Sequence, residues 1–249
     1  MISSYLAIFC VGLAGFTSAV RDIPDYIHVC KRSDPHVAKC IRESVEVLRP
    51  RLRQGIPELG VPSLEPLHIN EITIFRGDPP SNLKAFLRNV KVHGASDFQI
   101  TKLKVNVDKN TYRVGVKFRK MSFDGDYDID ARVLVVPIKG TGKFTADISD
   151  VDGQGVLKAE ISEKNGHREI KFTSFDFAIK IADYNIHLDN LFNGDEVLSR
   201  AAMDVINDNK AEFIQAALPF IQRKTAEILL DAANKITEDL DYDQVFPEK

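Results

Sequence analysis

The sequence predicts an α+β fold, a long C-terminal helix covered by an antiparallel sheet, on three observations. Between residues 195 and 237, Val197, Leu198, Ala201, Ala202, Val205, Ile206, Phe213, Ala217, Phe220, Ile221, Ile228, Leu229, Ala232 and Ile236 recur at spacings of three and four. That is the stripe of an amphipathic helix. About forty residues at ~1.5 Å rise span roughly 60 Å, more than the width of a compact domain this size. From about residue 67 to 188 the chain reads as strand after strand. So long a stripe needs a cover, and the sheet is the partner this sequence offers. An elongated sheet along a helix encloses a long apolar interior, the geometry of a carrier.

Composition fits one domain. The 249 residues lie within the range of β-rich units, which run to ~250. A net charge of −3 without a long basic run argues against a nucleic-acid partner. With no Trp and 15 Phe, the interior is built from Phe, Val, Ile and Leu.

Residues 1–19 carry no charged side chain and hold an apolar run over 5–16, ending in Thr17, Ser18 and Ala19. This reads as a secretory signal peptide cleaved after Ala19, with 20–249 the mature ligand-binding domain; the uncharged n-region departs from the usual pattern. The alternatives are a membrane anchor and a buried helix. The run is shorter than the ~20 residues of a span, and no basic stop-transfer cluster follows. The expectation is a secreted, extracellular protein without stable membrane insertion.

With Cys10 removed, Cys30 and Cys40 remain, and an even count in an oxidising compartment reads as one disulfide. Their spacing suits neither a CxxC redox pair nor a zinc knuckle. Between them Asp34 reads as a helix N-cap with Pro35 at the first helical position. Val37, Ile41, Val45 and Leu48 share one face until Pro50, where the helix is expected to stop. Closing so short a loop contributes at most ~3 kcal/mol in the chain-entropy model, so the bridge is a local staple.

Gly55, Pro57, Gly60, Pro62 and Pro66 mark a loop. Beyond it, period-two alternation announces strands. Tyr112, Val114, Val116 and Phe118 share a face; so do Tyr127, Ile129, Ala131, Val133 and Val135, opposite Asp124, Asp126, Asp128 and Asp130. Phe144, Ala146 and Ile148 follow an expected loop at Gly140-Thr141-Gly142, and Leu157, Ala159 and Ile161 follow one at Asp152-Gly153. Asn165-Gly166 predicts a hairpin leading to Ile170, Phe172, Phe175, Phe177, Ile179 and Ile181. The inward phase changes between Phe172 and Phe175, which predicts a bulge near Thr173-Ser174. One wet and one buried face describe an antiparallel sheet over a core. The absence of a βαβ rhythm argues against a doubly wound enzyme fold.

Several stretches resemble chemical motifs without completing them. The aspartates of 124–130 suggest a calcium loop, but the sixth-position Gly is missing and Val135 stands where the closing Glu belongs. Gly140-Thr141-Gly142-Lys143 fails as a phosphate loop, with Pro137 at the first glycine and Phe144 at the Ser/Thr. His28, His36, His68, His93, His167 and His187 form no i, i+4 metal pair. Ser96, in Gly94-Ala95-Ser96-Asp97-Phe98, lacks the second glycine of a nucleophile elbow. No glycosylation sequon occurs. The expectation is a protein that is not an enzyme and uses no metal or cofactor.

The residues also carry a family resemblance. The stretch from Gly55-Ile56-Pro57-Glu58-Leu59-Gly60 to Pro66-Leu67 resembles a signature of the takeout and juvenile-hormone-binding proteins of insects. So do Asn89-Val90-Lys91-Val92-His93-Gly94, Pro137-Ile138-Lys139-Gly140-Thr141-Gly142 and Ile186-His187-Leu188-Asp189-Asn190-Leu191-Phe192-Asn193-Gly194-Asp195. The ending Tyr242-Asp243-Gln244-Val245-Phe246-Pro247 and the early cysteine pair are similar too. The resemblance implies a long C-terminal helix wrapped by a strongly curved antiparallel β-sheet, forming an elongated apolar tunnel for juvenile hormone, another terpenoid or a fatty-acid-like molecule. Some members of that family act in feeding, circadian and chemosensory physiology, and the fold is related to lipid-transfer proteins with paired tubular domains. Pro219 departs from a smooth helix and predicts a kink with a freed carbonyl.

No short motif marks a ligand site in that family, so the lining is nominated from inward phase alone. Tyr127, Ile129 and Val133 come from one strand, Phe144 and Ile148 from the next, and Phe177 and Ile179 from a third. Phe213 and Phe220 come from the helix. Because none is cationic, the lining should prefer a neutral lipophile, since an unpaired buried carboxylate costs several kcal/mol. Lys210 and Lys224 lie near the stripe and are expected to carry their ammonium groups to the surface. The partner is a small lipophile, and the protein is expected to be a monomer. The alternatives are an extracellular interaction or signalling protein with a vestigial tunnel and, more remotely, a lipid-ester hydrolase.

Overall fold

Six antiparallel strands form one sheet in the computed structural model, which describes residues 21–76, 83–133, 136–164 and 166–249, with the side chains of 74–76, 83, 133 and 136 excepted. The expected signal peptide over residues 1–19, Val135, Asn165 and the side chain of Val133 lie outside the described residues. Helix α1 (Val37–Gln54) precedes β1 (Leu67–Arg76), β2 (Leu83–His93), β3 (Gln99–Asn106), β4 (Thr111–Val133), β5 (Val136–Lys164) and β6 (His167–Leu188). Helices α2 (Glu196–Asp208), α3 (Lys210–Thr237) and the short α4 (Tyr242–Val245) complete the chain. The strand order is β1-β2-β4-β5-β6, and β3 pairs with the first part of β4. A 29-residue β5 is roughly 95 Å long at ~3.3 Å per residue, whereas the 28-residue α3 is about 42 Å. Strands of that length cannot run straight beside the helix; the sheet curls around it as a half-barrel.

The three long strands change inward phase together. Tyr112, Val114, Val116 and Phe118 are the less exposed set in the first part of β4; Met121, Phe123 and Tyr127 take over in the second. At the same level β5 changes between Ile148 and Val151, and β6 between Ile181 and Tyr184, in line with the pairings Phe118–Val151–Ile181 and Lys120–Ser149–Asp183. Asp150 has a φ of +49° at this line. On one side, Val90, Val92, Tyr127, Ile138, Phe144, Leu191, Ile206 and Phe213 form a packed cluster. On the other, Cys30, Val37, Ala159, Ile170, Tyr242 and Phe246 form a second.

The predicted bulge is present. Lys158 pairs with Ser174 and Ala159 with Phe172, leaving Thr173 as the extra residue. The hairpin closes between Lys164 and His167, with Gly166 at φ +79°. Cys30 and Cys40 are joined.

Four local expectations are corrected. The helical pattern over 195–237 is two helices, broken at Asn209, whose backbone N–H and side-chain Nδ2 both donate to the Val205 carbonyl, at 3.2 and 2.8 Å. Pro219, by contrast, lies inside a continuous α3. Pro50 does not end α1, because the carbonyls of its final turn find outside donors: Leu64 N–H on Leu52 and the Ser63 hydroxyl on Arg53. That helix begins at Val37, and Asp34 caps the turn before it by accepting from His36 N–H at 2.7 Å. Finally, Gly140–Gly142 and Asp152-Gly153 are not loops but interior positions of β5. A Cβ on Gly142 would stand 2.5 Å from the Asp189 carbonyl oxygen, so the glycine serves close crossing of residues 189–191 over the strand.

Candidate functional site

The candidate site is an open cleft along the seam between the edge strand β6 and α3. On the β5–β6 wall, Gly153 and Gly155 contribute no side chain, and the Phe175 and Phe177 rings settle against them. The Phe177 ring would meet a Cβ on Gly153 at 2.8 Å. The two rings stack with centroids 5.0 Å apart. Rings lying on glycines rather than standing off the sheet leave room opposite α3, and a cleft of about 420 Å³ lies there. Its walls include Phe175, Phe177, Pro219, Ala226 and Leu230; Asp176, Gln222, Arg223 and Glu227 complete its lining.

The helix is fastened to β6 on either side of this cleft. Gln222 Nε2 donates to the Ile179 carbonyl at 3.3 Å. Asn234 accepts from Phe172 N–H at 2.8 Å and donates to the Phe172 carbonyl at 3.0 Å. The preceding helix α2 is tied to β6 in turn, the Tyr184 hydroxyl donating to the Ile206 carbonyl at 3.3 Å.

The nominated residues divide between two settings. Tyr127, Phe144 and Phe213 belong to the packed cluster, with Ile129 against it. Burial, helped by the nearby Asp189, raises the Tyr127 phenol to about 12, and its hydroxyl donates to the Asp189 carbonyl at 2.5 Å. Ile179 and Phe220 are buried near the cleft, which Phe177 lines, and Ile148 is half-buried beside the phase change. Only the backbone of Val133 is described. Sequence reasoning missed Phe175, Gln222, Ala226 and Leu230. The spacing from Pro219 through Gln222 and Ala226 to Leu230 was the available signal, but a proline and a glutamine interrupt its apolar character.

Lys210 pairs with the exposed Asp183 at 2.9 Å, and Lys224 pairs at 2.5 Å with Glu227, an exposed residue of the cleft lining. Three of the β4 aspartates meet cross-strand partners: Lys139 lies 3.1 Å from Asp130, Asn89 Nδ2 donates to Asp126 at 2.8 Å, and His93 lies 3.3 Å from Asp124. Ser96 is fully buried and donates to Glu65 at 3.3 Å; His93 approaches that same carboxylate at 3.6 Å. The order is serine–carboxylate–imidazole, so the imidazole faces Glu65 and not the hydroxyl, unlike the serine–histidine–aspartate arrangement.

Comparison with known proteins follows this geometry. The crystal structure of takeout 1 from Epiphyas postvittana superposes with a TM-score of 0.72 at 19% identity, over 88% of this chain and 98% of that one. The circadian clock-controlled protein daywake of Drosophila melanogaster is 23% identical, covering 96% of this chain and 95% of its own length. A putative beta-carotene-binding protein of Schistocerca gregaria is 24% identical over 89% and 88%. Residues 5–247 match the family profile described as Haemolymph juvenile hormone binding protein (JHBP). With that match running nearly end to end over the curled sheet and its helix, the chain belongs to the haemolymph juvenile hormone binding protein family.

Proposed function

We propose that the chain is a secreted carrier that holds one small lipophile, a juvenile-hormone-like terpenoid or a fatty-acid-like chain, in the apolar interior between the sheet and α3. The observation that supports this reading best is the cleft where Phe175 and Phe177 lie on Gly153 and Gly155 opposite Pro219, Ala226 and Leu230. A volume of about 420 Å³ suits one small ligand; such sites range over ~300–1,000 Å³. A hormone and a carotenoid, named for the family and one relative, are both elongated and largely apolar. Residues 1–19 direct secretion, the Cys30–Cys40 bridge suits an oxidising compartment, and the carrier works as a monomer. It performs no chemistry on its ligand, in keeping with the buried Ser96 and its carboxylate neighbour.

Native mass spectrometry of protein purified from its source tissue tests this. The expected result is one bound lipophile per chain, released on denaturation. Protein that carries none and fails to bind any fluorescent apolar probe overturns the reading.

One observation favours the second reading, an interaction or signalling protein. Helix α2 presents Val197 and Leu198 to solvent at 78% and 51% exposure, although both belong to the apolar pattern. If that reading holds, apolar probes stay unbound while Val197→Ser abolishes association with a receptor.

A further inference from the structure

The outer face of the sheet carries two contrasting charge patterns along β4. In the second part of the strand, Asp126 stands between Arg88 of β2 and Lys143 of β5, and Asp130 between Lys84 and Lys139. Acid is flanked by base on both sides. In the first part the complementarity is lost: Arg113 stands directly opposite Lys104 of β3, with Lys102 and Lys117 on the same exposed face. Like charges at opposed positions repel, a cost that the other part of the strand avoids. None of these four cations has a carboxylate within salt-bridge distance among the described residues, although the whole chain carries a net charge of −3. Asp152, opposite Lys117 on β5, is the one carboxylate in register with them and marks the margin of the panel.

We propose that this β3–β4 panel is a docking surface for an extended sulfated polysaccharide, whose anionic groups neutralise the unpaired row that Lys102, Lys104, Arg113 and Lys117 present. Arg113 and Lys117 stand about 13 Å apart along the strand, so one chain laid along the hairpin meets several cations in turn. A guanidinium offers forked donors to an oxyanion, and the ammonium groups beside it add point charge. The remaining side chains of the panel favour a hydrated partner over a bilayer. Gln99, Thr101, Asn106 and Thr111 are polar, and the exposed large apolar side chains among the described residues, Val47, Val197, Leu198, Val205 and Leu229, all lie on helices. A surface that docks on lipid sets apolar groups among its cations, and this one does not. Such a polysaccharide shares the extracellular space of the proposed secretion, while the panel itself lies apart from the cleft between β6 and α3.

Binding of the protein to heparin, as the sulfated probe, is measured over a salt series beside desulfated heparin, polyglutamate and phosphatidylserine vesicles. Heparin is expected to bind tightest, with an affinity that falls steeply as salt rises. The double variant Lys104→Ser/Arg113→Ser should lose about tenfold in affinity and show a shallower salt slope. Lys139→Ser/Lys143→Ser removes the same charge from the complementary part of the sheet and should change heparin affinity by less than about twofold. Because the first double variant relieves a like-charge pair, its thermal transition should not fall, which separates lost binding from unfolding. Heparin affinity unchanged in that variant, or lowered equally in both, overturns the panel as a site. Tighter binding to the vesicles, to polyglutamate or to desulfated heparin overturns the sulfated polysaccharide as its occupant. Each of these results leaves the carrier reading standing, since no apolar ligand takes part.

Discussion

Asn234 on α3 pairs with the main chain of Phe172 on β6 through both halves of its amide, accepting from the N–H and donating to the carbonyl as a neighbouring strand would. β6 is the last strand in the sheet order, so its outer edge needs partners. A side-chain amide from the helix supplies them next to the bulge at Thr173. Replacing it with alanine leaves a half-buried N–H and C=O unpaired, and Asn234→Ala should destabilise the fold by about 1–3 kcal/mol in urea denaturation. Asn234→Asp should cost more, because an oxygen then faces the Phe172 carbonyl. A loss below about 0.5 kcal/mol in both variants would refute the strand-mimic role.

Phe177 and Phe220 give the direct test of the lining. The first lies on the cleft wall and the second is buried beside Arg223. Truncating either to alanine should weaken an apolar probe by about 1–3 kcal/mol while the protein stays folded. Probe affinity unchanged in both would place them in ordinary core.

Alkaline pH should loosen both packed clusters of the molecule. Burial raises Tyr127 to about 12 from an ordinary 10, and Tyr112, in the second cluster, likewise to about 12. A raised folded-state value favours the neutral phenol, so its contribution is complete below pH 10 and fades as pH climbs from 10 through 12. Stability should fall across that window, and Tyr127→Phe should flatten the fall. An unaltered slope in that variant would show that Tyr127 does not titrate late.

The amino terminus offers the simplest check on secretion. Protein recovered from the extracellular fluid should begin at Val20 and carry Cys30 linked to Cys40. Intact-mass and peptide analysis showing residues 1–19 retained, or two free thiols, would count against the secretory reading.

Alternation made much of the sheet legible. Tyr127 and Ala131 turn inward with Asp128 and Asp130 opposite, and the change of phase between Phe172 and Phe175 located the extra residue at Thr173. What escaped was where local signals serve distant contacts. Gly140 and Gly142 look like turn residues, yet they clear space for a segment about fifty positions downstream. Pro50 looks like a helix stop, yet Ser63 and Leu64 satisfy the turn that follows it. The break at Asn209 did leave a trace, a gap between Ile206 and Phe213 with Asp208-Asn209 inside it. The cleft was hardest to see, because its walls depend on rings lying flat over glycines of another strand.

The shared change of phase near Arg119, Asp150 and Ala182 binds the three long strands to a common length. Deleting a single residue from one strand at that line would leave its two halves out of step with its neighbours. One half would then turn its apolar side chains to water and its charges inward. Insertions and deletions are therefore tolerable at the hairpin tips but not midway along the strands, unless all three change together. The sheet behaves as two panels joined at a crease, each free to vary in sequence, neither free to vary in count.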